Sequence, residues 1–405
     1  MSRDIASLYA PAAAGGPPLF FPTPERPIFF NFDQGNPDPA TYPLDLLERL
    51  SHEVLEEAGG DALSYFDPDT GYEELVYGFR GLRTALADRL NERDGREFDA
   101  DNVILTSGAV QALSLAARAF AGPGDAVFVE AVTFPYASSF LAGTGADVVA
   151  VPVDADGLDV HALADAIDAA AARGLRPKLV YTIATFQLPT GMSMPPSRRE
   201  RLLQLADRHD LVVIEDNVYY DLRYDGEPPP TLLSMDETGL VMQSDSFSKT
   251  VAPGLRLGWM VGHPDVIGGL AAVREDLGVS QFLARVMARY LEGGHHGPQV
   301  ATLRDVYRAK RDAAVTALHE HCSEYLTFRV PEGSFFLWLE LGDGVDWDRA
   351  AEAVQREGVF CRPGERFTDD GSGRQFLRLA FSLPSVDEIT QGIAALGRAL
   401  RDSST

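Results

Sequence analysis

Lys249 lies at the centre of the stretch Ser244–Trp259, SDSFSKTVAPGLRLGW. Ser248 and Thr250 flank it, Ser246 precedes it and Arg256 follows it. The apolar runs on either side, 240–244 and 257–261, read as buried strands. The lysine therefore belongs to a connection between two core strands, where chemistry is usually carried. An amine, hydroxyls and a guanidinium converging on one loop can hold a phosphate and offer a nucleophile beside it.

Three other places bear on the same chemistry. The apolar strand 211–214 delivers Asp216, with Tyr219 shortly after it. A carboxylate at the end of a buried strand is costly to desolvate unless it meets a cation. The strand 103–106 runs into Ser107-Gly108-Ala109-Val110-Gln111, which opens a helix to about Phe120. Strand, small residues and helix N-terminus together make an anion site, with free N–H groups and the positive dipole end facing the ligand. Arg378, inside FLRLAFS, is a lone cation in a strand-forming apolar run, a position that a bidentate carboxylate would offset. Each feature has a plainer reading: a capping aspartate, a simple N-cap, a core aromatic. Their order around Lys249 favours the chemical one.

These residues resemble the class I/II aminotransferases, pyridoxal-phosphate (PLP) enzymes of fold type I. The resemblance covers nearly the whole chain and is nearest to the branch of 2-aminoadipate aminotransferases and MocR effector domains. It implies a Schiff base between Lys249 and the cofactor aldehyde, with Ser246, Ser248 and Arg256 at the phosphate. It implies a phosphate cup at Ser107, Gly108, Ala109 and Val110. Phe134 would stack on the pyridine ring, Asp216 would face the ring nitrogen, and Tyr219 would donate to the phenolic oxygen. Arg378 would hold the substrate α-carboxylate beside the turn Gly35-Asn36. A phosphate-contacting tyrosine is also implied, for which Tyr65, Tyr72 and Tyr77 compete. Tyr77 is the expectation carried forward.

Besides a segment from Tyr65 to Arg83 that is longer than the family's, the sequence departs from the family at three single positions. Leu188 stands where the usual asparagine donates to the cofactor's phenolic oxygen, and leucine has no donor. Ser334 replaces the second glycine of Pro-x-Gly-Gly-x-Phe. Arg362 stands where a small or apolar residue is usual, and could read an acidic side chain if it faces the site. Transamination between an L-amino acid and a 2-oxo acid is the expected reaction. Elimination, cyclisation or replacement on the side chain is the alternative, and a non-catalytic PLP-binding regulator a distant third.

The chain of 405 residues is long enough for two domains. Its formal net charge of -25 argues against nucleic acid as a partner, which needs a basic face. Two cysteines, Cys322 and Cys361, make no disulfide framework, so a reducing cytoplasm is the default. No apolar run approaches bilayer-spanning length, and the opening residues carry no secretory h-region. No metal is expected: His295-His296 and His319-Glu320-His321 lack helical ligand spacing and read as solvated.

Strands near 103, 126, 147, 179, 211, 240 and 257, with helices between most of them, imply an α/β fold. Its core is a doubly wound, mainly parallel seven-stranded sheet, joined to a smaller α+β domain. The expected parts are 1–60, an N-terminal arm and part of the small domain; 61–295, the large PLP-binding domain; and 296–405, the C-terminal small domain. A helix over 42–58 is expected to bury Leu44, Leu47, Leu50 and Leu55. Long helices are expected over 265–291 and 300–321. The family implies a homodimer with sites shared between subunits.

Overall fold

The computed structural model describes residues 27–66, 71–368 and 370–404. The arm expected over residues 1–27 lies almost wholly outside the described residues.

Seven strands form the central sheet: β1 Val103–Thr106, β2 Asp125–Glu130, β3 Asp147–Val151, β4 Arg176–Thr182, β5 Val212–Asp216, β6 Val241–Ser246 and β7 Gly258–Val261. Their order is β1-β7-β6-β5-β4-β2-β3. β7 runs antiparallel to both neighbours, and β2 to β6 pair in parallel. Every residue of β5 and β6 is buried. Helices cover both faces of a parallel sheet, so its strands read as continuous buried runs rather than alternating ones. The carboxyl ends of β1, β5 and β6 reach one edge, and antiparallel β7 begins there at Gly258, opposite both Thr106 and Ser246.

The smaller sheet is antiparallel, in the order β8-β9-β11-β10, from β8 Leu326–Phe328, β9 Phe336–Leu341, β10 Arg362–Pro363 and β11 Phe376–Ala380. Phe30–Asn31 pairs with Val359–Phe360 in a separate two-stranded parallel sheet, which ties the start of the described chain to the C-terminal part of the fold. The helices His296–His321 and Val386–Arg401 pack against each other, and the second also lies against the strands Phe30–Asn31 and Val359–Phe360. Ser385 and Glu388 close the second helix's N-terminus with a capping box.

Four expectations need correction. In the helix Leu44–Ala58, Leu50 and Val54 are buried, whereas Leu44 and Leu55 are 65% and 43% exposed. Leu50 and the partly buried Leu47 follow the expected stripe, whereas Leu44 and Leu55 do not, because the segment faces the core of its own chain along a narrower line than its apolar residues occupy. The expected helix 265–291 is two helices, Pro264–Ala272 and Gln281–Glu292. Leu277 and Gly278 between them take positive φ of 58° and 90°, and Ser280 caps the second helix through Leu283 N–H. The last long helix starts at His296, not 300. Pro298 falls in its first turn, where the missing N–H has no intrahelical partner to lose. His296 is consequently not solvated: its side chain is 13% exposed, with Nε2 2.9 Å from Asp221 Oδ2.

Gly258 is where the sheet edge is tightest. A Cβ there would lie 2.7 Å from the Asp245 carbonyl oxygen and 2.8 Å from Gly108 Cα. Backbone cannot yield as a flexible side chain can. Gly258→Ala is therefore expected to lower unfolding free energy by roughly 1–3 kcal/mol, read from a denaturant midpoint with unchanged m-value.

Candidate active site

The loop after β6 carries Ser246, Ser248 and Lys249 to the carboxyl edge. Ser246 is the last residue of the strand, and its Oγ accepts from the Ser248 N–H at 3.2 Å. Arg256, in left-handed backbone with φ 47°, returns over β1 and donates through Nη2 to the Ser107 carbonyl at 2.8 Å. A Cβ on Gly108 would stand 2.8 Å from the same Nη2, so glycine is what lets the guanidinium lie against this turn. Ala109 and Val110 begin the helix Ala109–Phe120, which has no side-chain cap. Their N–H groups point out of the first turn, where no helical carbonyl can reach them.

Period-2 alternation along β5 separates two carboxylates. Glu215 points to one face, where it meets Arg199 at 3.3 Å, Gln243 Nε2 at 2.8 Å and the N–H groups of Leu232 and Leu233. Asp216 points to the other. The Tyr181 hydroxyl donates to its Oδ2 at 2.9 Å, and its Oδ1 is buried without a hydrogen-bond partner. Burial raises the Asp216 pKa to about 6, against the Tyr181 hydrogen bond and the charge of Lys249. Tyr181 was missed in the sequence. Its signal was a tyrosine following the apolar residues Leu179 and Val180 in the buried end of β4, which needs a partner for its hydroxyl.

An inner cavity of about 240 Å³ is lined by Ala109, Val110, Asp216, Ser246, Lys249 and Arg256, with Phe134, Leu188, Ser248 and Tyr219 among its other walls. An outer cavity of about 280 Å³ is lined by Asp33, Gly35, Tyr136, Arg362, Phe367 and Arg378, among others. Asn36, Phe134, Leu188, Tyr219 and Lys249 border both. Lys249 Nζ donates to the Gly35 carbonyl at 2.8 Å and stands 5.5 Å from the Tyr219 ring centroid. Burial, then the charge of Arg378, pushes the Lys249 pKa down to about 8. Arg378 lies 4.6 Å over the Phe336 ring, and its Nε is buried without a partner. Burial and the neighbouring Arg362 lower its pKa to about 10.

Tyr77 borders neither cavity; it lies beneath Arg83, whose Cζ is 5.4 Å from its ring centroid. Tyr65 and Tyr72 are 72% and 76% exposed. Leu188, only 8% exposed, presents an apolar side chain to both cavities. Ser334 is buried with φ 71°, the left-handed backbone that the replaced glycine accepts without strain. Arg362 faces the outer cavity, held by Asp33. Nothing in the sequence marked Asp33 as its partner, because 329 residues separate the two.

The residues suit pyridoxal phosphate. The unpartnered Asp216 Oδ1 would receive a protonated ring nitrogen. The uncapped helix start, with Ser246, Ser248 and Arg256, would hold the phosphate. Lys249, between them, has the amine an aldehyde requires. A doubly wound sheet with this site at its carboxyl edge defines a PLP-dependent enzyme of fold type I.

Residues 29–396 match the family Aminotransferase class I and II. The chain is 34% identical to aromatic-amino-acid aminotransferase 1 of Thermococcus litoralis over 91% of its length and 87% of the relative's. It is 30% identical to 2-aminoadipate transaminase of Thermus thermophilus, over 93% and 91%. The crystal structure of kynurenine aminotransferase from Pyrococcus horikoshii superposes with a TM-score of 0.89 at 32% identity, covering 98% of each chain. The chain belongs to the class I and II aminotransferases, and its chemistry is PLP-dependent transamination.

The lowered Lys249 pKa has a direct test. The neutral amine is the nucleophile, and it becomes available as pH rises through the folded-state pKa. Acylation of Lys249 in cofactor-free protein by acetic anhydride, followed by peptide mass spectrometry, is expected to rise with a midpoint near pH 8. A midpoint near that of ordinary lysines, about 10.4, would contradict it.

Proposed function

We propose that the chain moves the α-amino group of an L-amino acid with a neutral side chain to a 2-oxo acid, with Lys249 as the proton carrier. The observation behind this reading is the position of Lys249 in the wall shared by the two cavities. One holds Asp216 and the helix N-terminus, the other Arg378. Arg378 receives the α-carboxylate and so fixes the Cα–H bond near Lys249. When bound, pyridoxal phosphate supplies an electron sink that makes that proton acidic. Asp216 would keep the ring nitrogen protonated by ion pairing, and the paired charge would in turn favour its own ionised form. Lys249 Nζ, at the wall between the two cavities, is the group placed to hold the α-proton between its removal and its return. With the cofactor bound, Tyr219 would donate a hydrogen bond to its phenolic oxygen, and Ser107, Ser246, Ser248 and Arg256 would anchor its phosphate. The aromatic walls Phe134, Tyr136, Phe336 and Phe367 suit an aromatic or large apolar side chain.

Leu188 supports the second reading, chemistry on the substrate side chain, because a donor is missing where this family usually has one. The two readings part on products. Mixing holoenzyme with single amino acids is expected to release one equivalent of 2-oxo acid, with conversion of the cofactor to its amine form. Ammonia release without that conversion would favour the second reading. Lys249→Ala is expected to lower turnover by roughly 10³-fold or more. Leu188→Asn restores a donor that favours the ionised phenolic oxygen. It is expected to lower the pH midpoint of the holoenzyme's visible absorption by about one unit.

The chain works as a homodimer in this reading. Leu44, Leu55, Leu63, Tyr65 and Tyr72 form exposed apolar surface on the helix Leu44–Ala58 and the segments after it, and a second copy would cover it. Light scattering on the purified protein should give twice the chain mass of 44.0 kDa. The two buried free thiols suit a reducing cytoplasm.

A further inference from the structure

The outer cavity already contains a carboxylate of the protein's own. Asp33 lies in its wall with a side chain 8% exposed. Arg362 grips it with a two-pronged fork, Nε to Oδ1 at 2.6 Å and Nη2 to Oδ2. Arg378 sits directly across the β10–β11 pair from Arg362. It donates instead to the Asp33 backbone carbonyl, and the Asp33 carboxylate is 3.7 Å away. The two guanidiniums are therefore in different states. The fork of Arg362 is filled, whereas Arg378 keeps a buried N–H without a partner.

We propose that Asp33 is a specificity-determining residue: a resident carboxylate that occupies Arg362, so that the site favours substrates with one carboxylate and disfavours a second one on the side chain. The inference rests on the reading that Arg378 receives the α-carboxylate. A dicarboxylic substrate has two options. It displaces Asp33 from the fork and leaves that buried carboxylate only the 3.7 Å approach of Arg378, which the α-carboxylate also occupies. Otherwise its second carboxylate stays unpaired a few ångströms from Asp33. Neither penalty falls on an aromatic side chain. Arg366 also borders the cavity but is exposed, so solvent screens its pull on a carboxylate.

Two unreactive carboxylates of similar length test this without turnover: glutarate, with two charges, and 3-phenylpropanoate, with one. Their affinities for the holoenzyme are measured by calorimetric titration. Wild-type protein is expected to bind 3-phenylpropanoate at least about tenfold more tightly than glutarate. Asp33→Asn keeps the shape and removes the charge. It is expected to tighten glutarate about tenfold while 3-phenylpropanoate moves by less than about threefold. Adding Arg362→Leu to Asp33→Asn is expected to abolish the glutarate gain, because the freed fork is what produced it. Equal wild-type affinities would overturn the proposal, and need no variant to fold. So would a glutarate affinity unmoved by Asp33→Asn, or a gain that survives the loss of Arg362. If wild-type holoenzyme does not bind 3-phenylpropanoate, or binds it unchanged after Arg378→Leu, the assignment of Arg378 fails first and the inference with it.

Discussion

At the end of β5, in the middle of the molecule, a carboxylate stands with one oxygen held by Tyr181 and the other meeting nothing. Such a group is unfavourable in a folded chain by kilocalories rather than tenths. The surrounding sheet keeps it there because β5 is paired on both sides and cannot shift register without exposing its whole apolar set. Placing Asp216 on one face sends Glu215 to the other, where Arg199 and three further donors meet it completely. The contrast between the two neighbours is informative. The Glu215 carboxylate is saturated by the protein itself, and the Asp216 carboxylate is not.

Lysine at the adjacent loop shares that environment. The same burial that lifts the acid lowers the amine, so the two approach each other in proton affinity. The remaining walls come from the second sheet and from the segment between Asn31 and Asp38. That segment crosses the opening, joined to Lys249 at Gly35, to Arg378 and Arg362 at Asp33, to Ser382 at Asn36 and to Lys310 at Asp38. Side chains from both sheets converge on one short strap. The outer cavity is thus a joint product of the two halves, and its size is set by how they pack.

Legibility followed the range of the interaction. Lys249 with Ser246 and Arg256, Asp216 with Tyr219, and the Ser107–Val110 turn each lie within one loop or strand end, so spacing alone could present them together. The expected sheet was equally local, because buried parallel strands announce themselves as apolar runs. The buried stripe of Leu44–Ala58 was only partly legible, since a helix with several leucines does not say which of them another element will cover. The helix break at 273–280 and the burial of His296 were hidden for a related reason. A Gly-His-His-Gly-Pro string reads as loop until Asp221 is seen beside it.

By itself the sequence determined the strands of the central sheet in their order along the chain and placed Lys249, Asp216 and the Ser107–Val110 turn at strand ends, because these depend on neighbours along the chain. The tertiary structure alone decided which face of each element was covered. It also decided that Tyr181 supports Asp216, that Tyr77 lies away from both cavities, and that Asp33 fills the fork of Arg362. Those facts are contacts between residues tens to hundreds of positions apart. Nothing in local spacing encodes them, and packing the two sheets against each other is what brings them into being.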